Sequence, residues 1–243
     1  MKFFPILLLL SLLLNSIAMA KSVTDYANEI EKLRKKGLSS KLSSLTREAV
    51  TVHPNNGRLH RMRGLFLFEK KRFRLAEKSF AKATTQQPNL AINHLFLLRC
   101  QLAQTAPKET VEKTMKNIRA KLSGQSRHLA EAGNILIRRR QMASAFKHFI
   151  ALLKSGSPNR WLYHLKLGQM YCLVGEWKDA ANQLARSAQL EPDYGLTYYY
   201  LGKAWERQGK RDYALSLYQK ALSAGLPPHF QKMLRGRLKN RRK

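Results

Sequence analysis

Small and large residues recur along this chain at intervals of 34 residues or close to it, which indicates an internal repeat. The clearest copy contains Leu201-Gly202, Tyr213-Ala214 and Tyr218, and it ends near Pro227. The same register places small residues in the first half of four copies and again in the second half. They are Gly64, Gly133, Gly168 and Gly202, then Ala76, Ala145, Ala180 and Ala214.

Each copy predicts a pair of helices. Small residues allow the two helices to approach closely, large residues fill the space opposite, and a proline ends the second helix. The third copy fits least well, and Pro107 is expected to start its second helix. The register divides the chain into 23–56, 57–90, 91–125, 126–160, 161–194 and 195–228, and residues 229–243 follow as a basic helix or tail.

This pattern resembles the tetratricopeptide repeat, a family of 34-residue units with an aromatic, Leu-Gly, Ala, aromatic, Ala and Pro at fixed offsets. The resemblance implies an all-α fold, a right-handed superhelical solenoid of about six helix pairs with a further C-terminal helix or tail. No Gly- or Ser-rich linker separates the units, so we expect one continuous superhelix. The resemblance also implies that the protein binds other proteins.

The first twenty residues have the order of a secretory signal: Lys2, an apolar run from Phe3 to Leu14, and Ala18-Met19-Ala20. Cleavage before Lys21 would leave a periplasmic or secreted protein; an uncleaved anchor is the alternative. The apolar run is shorter than the roughly 20 residues that span a bilayer. No cysteine lies near the cleavage point, which disfavours a lipid-modified N-terminus.

Basic residues outnumber acidic ones by 45 to 15, a formal charge of +30, and this excess favours anionic partners. It is uneven: residues 57–90 contain nine basic and two acidic residues, and 126–160 contain seven and one. Solvated helix faces explain many such clusters. The basic tail includes Arg235, Arg237, Lys239, Arg241, Arg242 and Lys243.

The resemblance implies a binding groove lined by the first helix of each pair at the second, fifth, ninth, twelfth and thirteenth offsets. An arginine-rich groove with apolar positions would suit an acidic peptide or an anionic polymer, since the guanidinium fork matches carboxylate and phosphate. The predicted groove residues are Arg58, Arg61, Phe68, Arg99, Arg127, Arg138, Tyr199, Lys203 and Arg207.

Histidine and cysteine do not predict a chemical site. His60, His94 and His164 occupy the same offset in different repeats, which are about 10 Å apart and too distant to share one metal ion. Cys100 and Cys172 lie two repeats apart, beyond the ~7 Å that a disulfide allows, so we expect free thiols. The sequence contains no Gly-rich phosphate loop and no His-Glu-x-x-His, Cys-x-x-Cys or Gly-x-Ser-x-Gly motif. The sequence therefore predicts no enzyme, no cofactor and no metal.

Two functions remain open at this point. The first is a scaffold or adaptor in the cell envelope, which binds an acidic or extended segment of another exported protein, as in pilus, secretion or exopolysaccharide machinery. The second is a module for a polyanion: an acidic glycan, anionic lipid head groups or nucleic acid. The salt dependence of binding distinguishes them, because polyanion binding weakens steeply as counterions are released.

Overall fold

The structure, a computed structural model, describes residues 21–156 and 158–240, apart from the side chains of residues 237, 239 and 240. These residues form helices and no strands, which confirms the all-α class. The predicted signal segment 1–20 lies outside the described residues. Thirteen helices occur in the described part: α1 Val23–Lys35, α2 Ser39–Val52, α3 Gly57–Glu69, α4 Phe73–Gln86, α5 Ala91–Ala103, α6 Lys108–Lys121, α7 Ser126–Arg138, α8 Met142–Lys154, α9 Arg160–Val174, α10 Trp177–Leu190, α11 Gly195–Arg207, α12 Arg211–Ser223 and α13 Pro228–Asn240.

The glycine of the first helix is the point of closest approach within a helix pair. A Cβ atom built on Gly133 would lie 2.2 Å from Phe149 Cζ, and one built on Gly168 would lie 2.4 Å from Leu184 Cγ. Both distances are far inside van der Waals contact. In repeats two, four, five and six, a large residue of the second helix therefore packs directly against the glycine of the first helix, and the pairing depends on both.

The chain forms two compact units, Met1–Thr114 and Met115–Lys243, whose boundary falls within α6. In the first unit, buried side chains such as Tyr26, Ile30 and Phe80 join α1 to α5. In the second, Leu184, Tyr218 and the other core residues join α9 to α13.

None of the described helices combines the length and the apolar composition that a bilayer span requires.

The turn between the two helices of each repeat contains one residue in the left-handed region. Glycine fills this position in repeats one, five and six, for example Gly175 at φ 84°. Repeats two, three and four have Lys71 at φ 57°, Thr105 at φ 53° and Arg140 at φ 57°. A side chain costs roughly 1 kcal/mol at this backbone conformation. Two basic residues are thus placed where glycine would be the less strained choice.

The buried histidines form hydrogen bonds within the helix stack. His60 Nε2 donates to the carbonyl of Pro54 at 2.7 Å, and His94 Nε2 donates to that of Pro88 at 2.7 Å. His164 Nδ1 lies 2.8 Å from Gln183 Oε1. Each histidine thereby links its own helix to a neighbouring element, and the prolines that end two repeats serve as acceptors.

Stability should fall as the solution becomes acidic. Burial lowers the pKa of His60 and His164 below the ordinary value of 6.5. Below that pH the unfolded chain binds more protons than the folded one, so the free energy of unfolding decreases as pH falls. Urea unfolding at about pH 7.5 and pH 5 measures this loss. His60→Gln keeps an N–H donor but does not titrate, so this variant should lose less of its unfolding free energy between the two pH values. An equal loss in the variant and in the original protein would contradict the prediction.

Both cysteines are buried and free. Burial raises the pKa of the Cys100 thiol to about 12 and that of the Cys172 thiol to about 11. The thiolate that attacks disulfides and alkylating reagents is therefore scarce at neutral pH. In the folded protein these residues act as small apolar core residues.

Candidate functional site

The first helices of repeats four to six, α7, α9 and α11, lie side by side in the second unit, with α9 in contact with both of the others. These helices carry a set of polar side chains that are half-buried or exposed, which we name the polar face. It consists of Glu131, Asn134 and Arg138 on α7, Lys166 and Gln169 on α9, and Tyr200, Lys203 and Arg207 on α11.

Glu131 organises the α7 side of the polar face. Its carboxylate accepts from Arg138 Nη2 at 2.5 Å and from Asn134 Nδ2 at 3.4 Å. Because Arg138 is paired in this way, its charge is partly neutralised within the protein.

Lys166 is half-buried at the centre of the polar face, where its amine lies 3.4 Å from Gln169 Oε1. Burial lowers the pKa of Lys166, the Glu131 carboxylate acts in the opposite direction, and Arg138 adds to the decrease. Ammonium groups held in this way have already lost part of their hydration, so a ligand carboxylate would displace little further water.

The α11 side adds two cations without a paired acid among the described residues. Arg207 lies over the indole ring of Trp177, with 5.3 Å between Cζ and the ring centroid, which fixes the guanidinium in place. Lys203 lies one helical turn earlier on the same side of α11. Lys203 acts electrostatically on the Cys172 thiol of α9 and partly offsets the increase in its pKa that burial causes.

In the first unit the predicted groove residues have other contacts. Arg61 Nη1 donates to Gln87 Oε1 at 2.7 Å, so it links α3 to the end of α4. Phe68 packs edge-on against Phe96 at 5.1 Å, and Arg99 Cζ lies 5.1 Å from the centroid of the same Phe96 ring. Arg58 is exposed. This unit therefore presents an aromatic cluster with an arginine over it, whereas the polar face of the second unit combines four cations with hydrogen-bonding side chains.

Comparison with known proteins shows the fold. No family model and no curated protein matches the chain in sequence. Among solved structures, the C-terminal part of a TPR repeat-containing protein from Cytophaga hutchinsonii superposes with a TM-score of 0.51 at 14% identity, covering 81% of this chain and 78% of that one. This chain has the tetratricopeptide-repeat fold. The resemblance read from the sequence is thereby confirmed.

Two further solved structures are similar to this chain. Yeast Tom70 superposes with a TM-score of 0.54 at 15% identity and covers 82% of this chain, which in turn spans only 42% of that structure. The MamA protein superposes with a TM-score of 0.48 at 19% identity, over 69% of this chain and 91% of that one.

In this tetratricopeptide-repeat fold, the fifth position of the first helix faces the packed interior in most repeats. Leu165 is 1% exposed and Tyr199 is 8% exposed. The Tyr199 ring lies 5.0 Å from that of Phe230 on α13, which covers it. The sequence places Tyr199 in the groove; the structure places it in the core, because the C-terminal helix α13 packs over this position.

The sixth position, which the sequence reasoning missed, lines the polar face instead. It is filled by Glu131, Lys166 and Tyr200 in repeats four, five and six. One residue along a helix turns the side chain by about 100°, which is enough to move it from the interior to the open side. The signal was present in the sequence, since these three polar residues share one offset.

Two of the remaining predicted residues, Arg127 and Arg235, are exposed side chains of the second unit. Arg127 is exposed at the start of α7. Arg235 is exposed on α13, whose apolar side includes the fully buried Leu234. The other residues of the predicted basic tail cannot be placed: Arg237 and Lys239 have no described side chains, and Arg241, Arg242 and Lys243 lie outside the described residues.

The polar face offers charge and hydrogen bonding. Within the described residues, no group of three His, Cys, Asp or Glu side chains is arranged to hold a metal ion. Lys166, Lys203 and Arg207 donate only, while Gln169 and Tyr200 can both donate and accept. Such a set suits a carboxylate-bearing, extended ligand that also exposes backbone groups.

Proposed function

We propose that this protein is a non-enzymatic scaffold that binds an acidic, extended segment of a partner protein on the polar face. The observation that carries the proposal is the group formed by Lys166, Lys203 and Arg207. These three cations lie on adjacent first helices, whereas the main acid among them, Glu131, is engaged by Arg138 and Asn134. The tetratricopeptide-repeat fold supports the same conclusion.

Preorganisation favours a specific complex over a general attraction of anions. Arg207 is held against Trp177, and Lys166 is half-buried, so binding a carboxylate would immobilise few additional side-chain rotamers. A ligand of alternating acidic and apolar residues would meet cations on α9 and α11. It would also meet Leu173 at the end of α9, which is 67% exposed.

The location and partner that we propose follow from the N-terminal segment. With cleavage before Lys21, the protein works in the periplasm or outside the cell, and its partner is another exported protein. A scaffold of this kind would serve an assembly such as a pilus, a secretion system or an exopolysaccharide machine.

Site-specific photo-cross-linking in the intact envelope tests the proposal. A photoreactive amino acid replaces Lys203 on the polar face or, as the matched control, the exposed Lys178 on α10. We expect irradiation to yield one discrete adduct from position 203 only, with the linked peptide rich in Asp and Glu by mass spectrometry. Equal adducts from both positions, or a linked segment without acidic residues, would overturn the proposal.

A further inference from the structure

The two ends of the helix pairs in the first unit differ in charge. The turns within repeats one and two carry Lys36 and Lys70-Lys71-Arg72, with Lys35 directly before the first of them. The turns between repeats, at 53–56 and 87–90, contain no lysine, arginine, aspartate or glutamate. The positive charge of these turns therefore lies at one edge of the unit.

The two basic turns lie next to each other. Arg34, one residue before the end of α1, forms an ion pair with Glu69, the last residue of α3, and the two helices are in contact. Because the helices end side by side, the turns that follow them form one continuous surface. We name it the basic edge: Lys35, Lys36, Leu38, Lys70, Lys71, Arg72, Arg74 and Leu75.

The cations of the basic edge are exposed, and none of them takes part in an ion pair with another described residue. Glu69, the acid within this region, is already bound to Arg34. Lys71 also occupies the left-handed turn position, where repeats one, five and six have glycine. Mutual repulsion and backbone strain both oppose this arrangement, so stability does not account for it.

Exposed leucines are interspersed with these cations. Leu38 lies in the turn after α1 and is 41% exposed, and Leu75 lies in the first turn of α4 and is 43% exposed. A soluble polyanion offers charge but little for leucine to contact. A bilayer surface offers both, since apolar side chains enter the boundary between head groups and acyl chains while lysine and arginine reach the phosphates.

We propose that the basic edge binds the anionic lipid head groups of a membrane surface. This interaction goes beyond the proposed scaffold function and uses a different unit of the chain: the first unit rests on the membrane. It involves no spanning helix and no covalent change. Each cation near an anionic surface contributes about a fivefold increase in partitioning, and the two leucines add a smaller apolar contribution.

Vesicle sedimentation tests the charge requirement. The probe is phosphatidylcholine vesicles with about a third phosphatidylglycerol, and each variant keeps the same N-terminus, verified by mass spectrometry. Lys70→Gln/Lys71→Gln/Arg72→Gln should lower the partition coefficient at least about tenfold. The control Arg47→Gln/Lys78→Gln/Lys82→Gln removes the same charge from exposed positions on α2 and α4 and should lower it less than about threefold. Equal decreases would overturn the proposal, because net charge alone would explain them.

A second pair of variants tests the apolar contribution. Leu38→Ser/Leu75→Ser should lower vesicle partitioning about threefold and leave affinity for soluble polyphosphate unchanged. The control Val52→Ser/Leu90→Ser alters residues that are 39% and 37% exposed at the opposite edge. It should change neither vesicle partitioning nor the affinity for polyphosphate. If the leucine variant partitions like the original protein while the charge variant loses both ligands, the partner is a soluble polyanion and the membrane proposal is wrong. Because the polar face is unaltered in all four variants, the cross-linking result at position 203 stays independent.

Discussion

Gly195→Ala is expected to destabilise the second unit by about 3 kcal/mol, the upper part of the range for overpacked positions. A Cβ atom at this position would lie 2.5 Å from the carbonyl oxygen of Ala221 and 2.6 Å from the amide nitrogen of Leu226. Both neighbours are backbone atoms, one in the last turn of α12 and one in the turn that follows it, so no side-chain rotation can relieve the overlap. The Gly195 amide also donates to the carbonyl of Ala224 at 2.6 Å, and moving α11 away would weaken this bond.

Thermal unfolding followed by circular dichroism measures the effect, and we expect the midpoint to fall by about 10 °C. Gly236→Ala is the matched control, because a Cβ atom there meets nothing within 4 Å and the residue lies in α13. The control should be neutral or slightly stabilising, since alanine is favoured over glycine by about 1 kcal/mol inside a helix. If Gly195→Ala melts like the control, the start of α11 does not pack closely against the backbone of Ala221 and Leu226.

Lys203→Glu/Arg207→Glu should weaken the binding of an acidic peptide by about thirtyfold, or about 2 kcal/mol. The probe is a fluorescent peptide of alternating glutamate and leucine, and anisotropy gives the dissociation constant. The substitution removes two attractive contacts and places two carboxylates beside those of the peptide. Both positions are surface residues of α11, so the fold should persist.

The control for this prediction carries the same change of charge on the other side of the repeat. Lys178→Glu/Arg186→Glu alters two exposed residues of α10, the second helix of repeat five, which are not part of the polar face. It should reduce affinity less than about threefold, through long-range effects that salt screens. A similar loss in both variants would mean that the peptide responds to net charge and that the polar face is not its binding surface.

The repeat could be predicted well from the sequence because its signals are local. Gly133 and Phe149 lie sixteen positions apart in one repeat, and the same pair of positions recurs as Gly202 and Tyr218. The structure confirms what that pattern requires, since each glycine lies directly beneath the large residue. The start of α6 after Pro107 was predictable for a similar reason: the Val111 amide bonds to the Pro107 carbonyl at 3.2 Å.

The candidate site was predicted less well because its residues depend on contacts between repeats. Tyr199 has a side chain suited to a groove, but Phe230 of α13 covers it. Arg61 has the charge expected of a binding residue, yet it bonds to Gln87 at the end of the neighbouring helix. Lys166 escaped notice because only packing shows that the sixth position of α9 is half-buried on the polar face.

By itself, the sequence determined the class of the protein: paired helices repeating every 34 residues or so, with a large excess of positive charge. These properties follow from composition and from a periodicity that repeats two, four, five and six display within their own residues. Only the tertiary structure decided which cations lie together, because that depends on side-by-side packing of helices from successive repeats. It brings Lys166, Lys203 and Arg207 to one face of the second unit, and it aligns the turns after α1 and α3 into one basic edge.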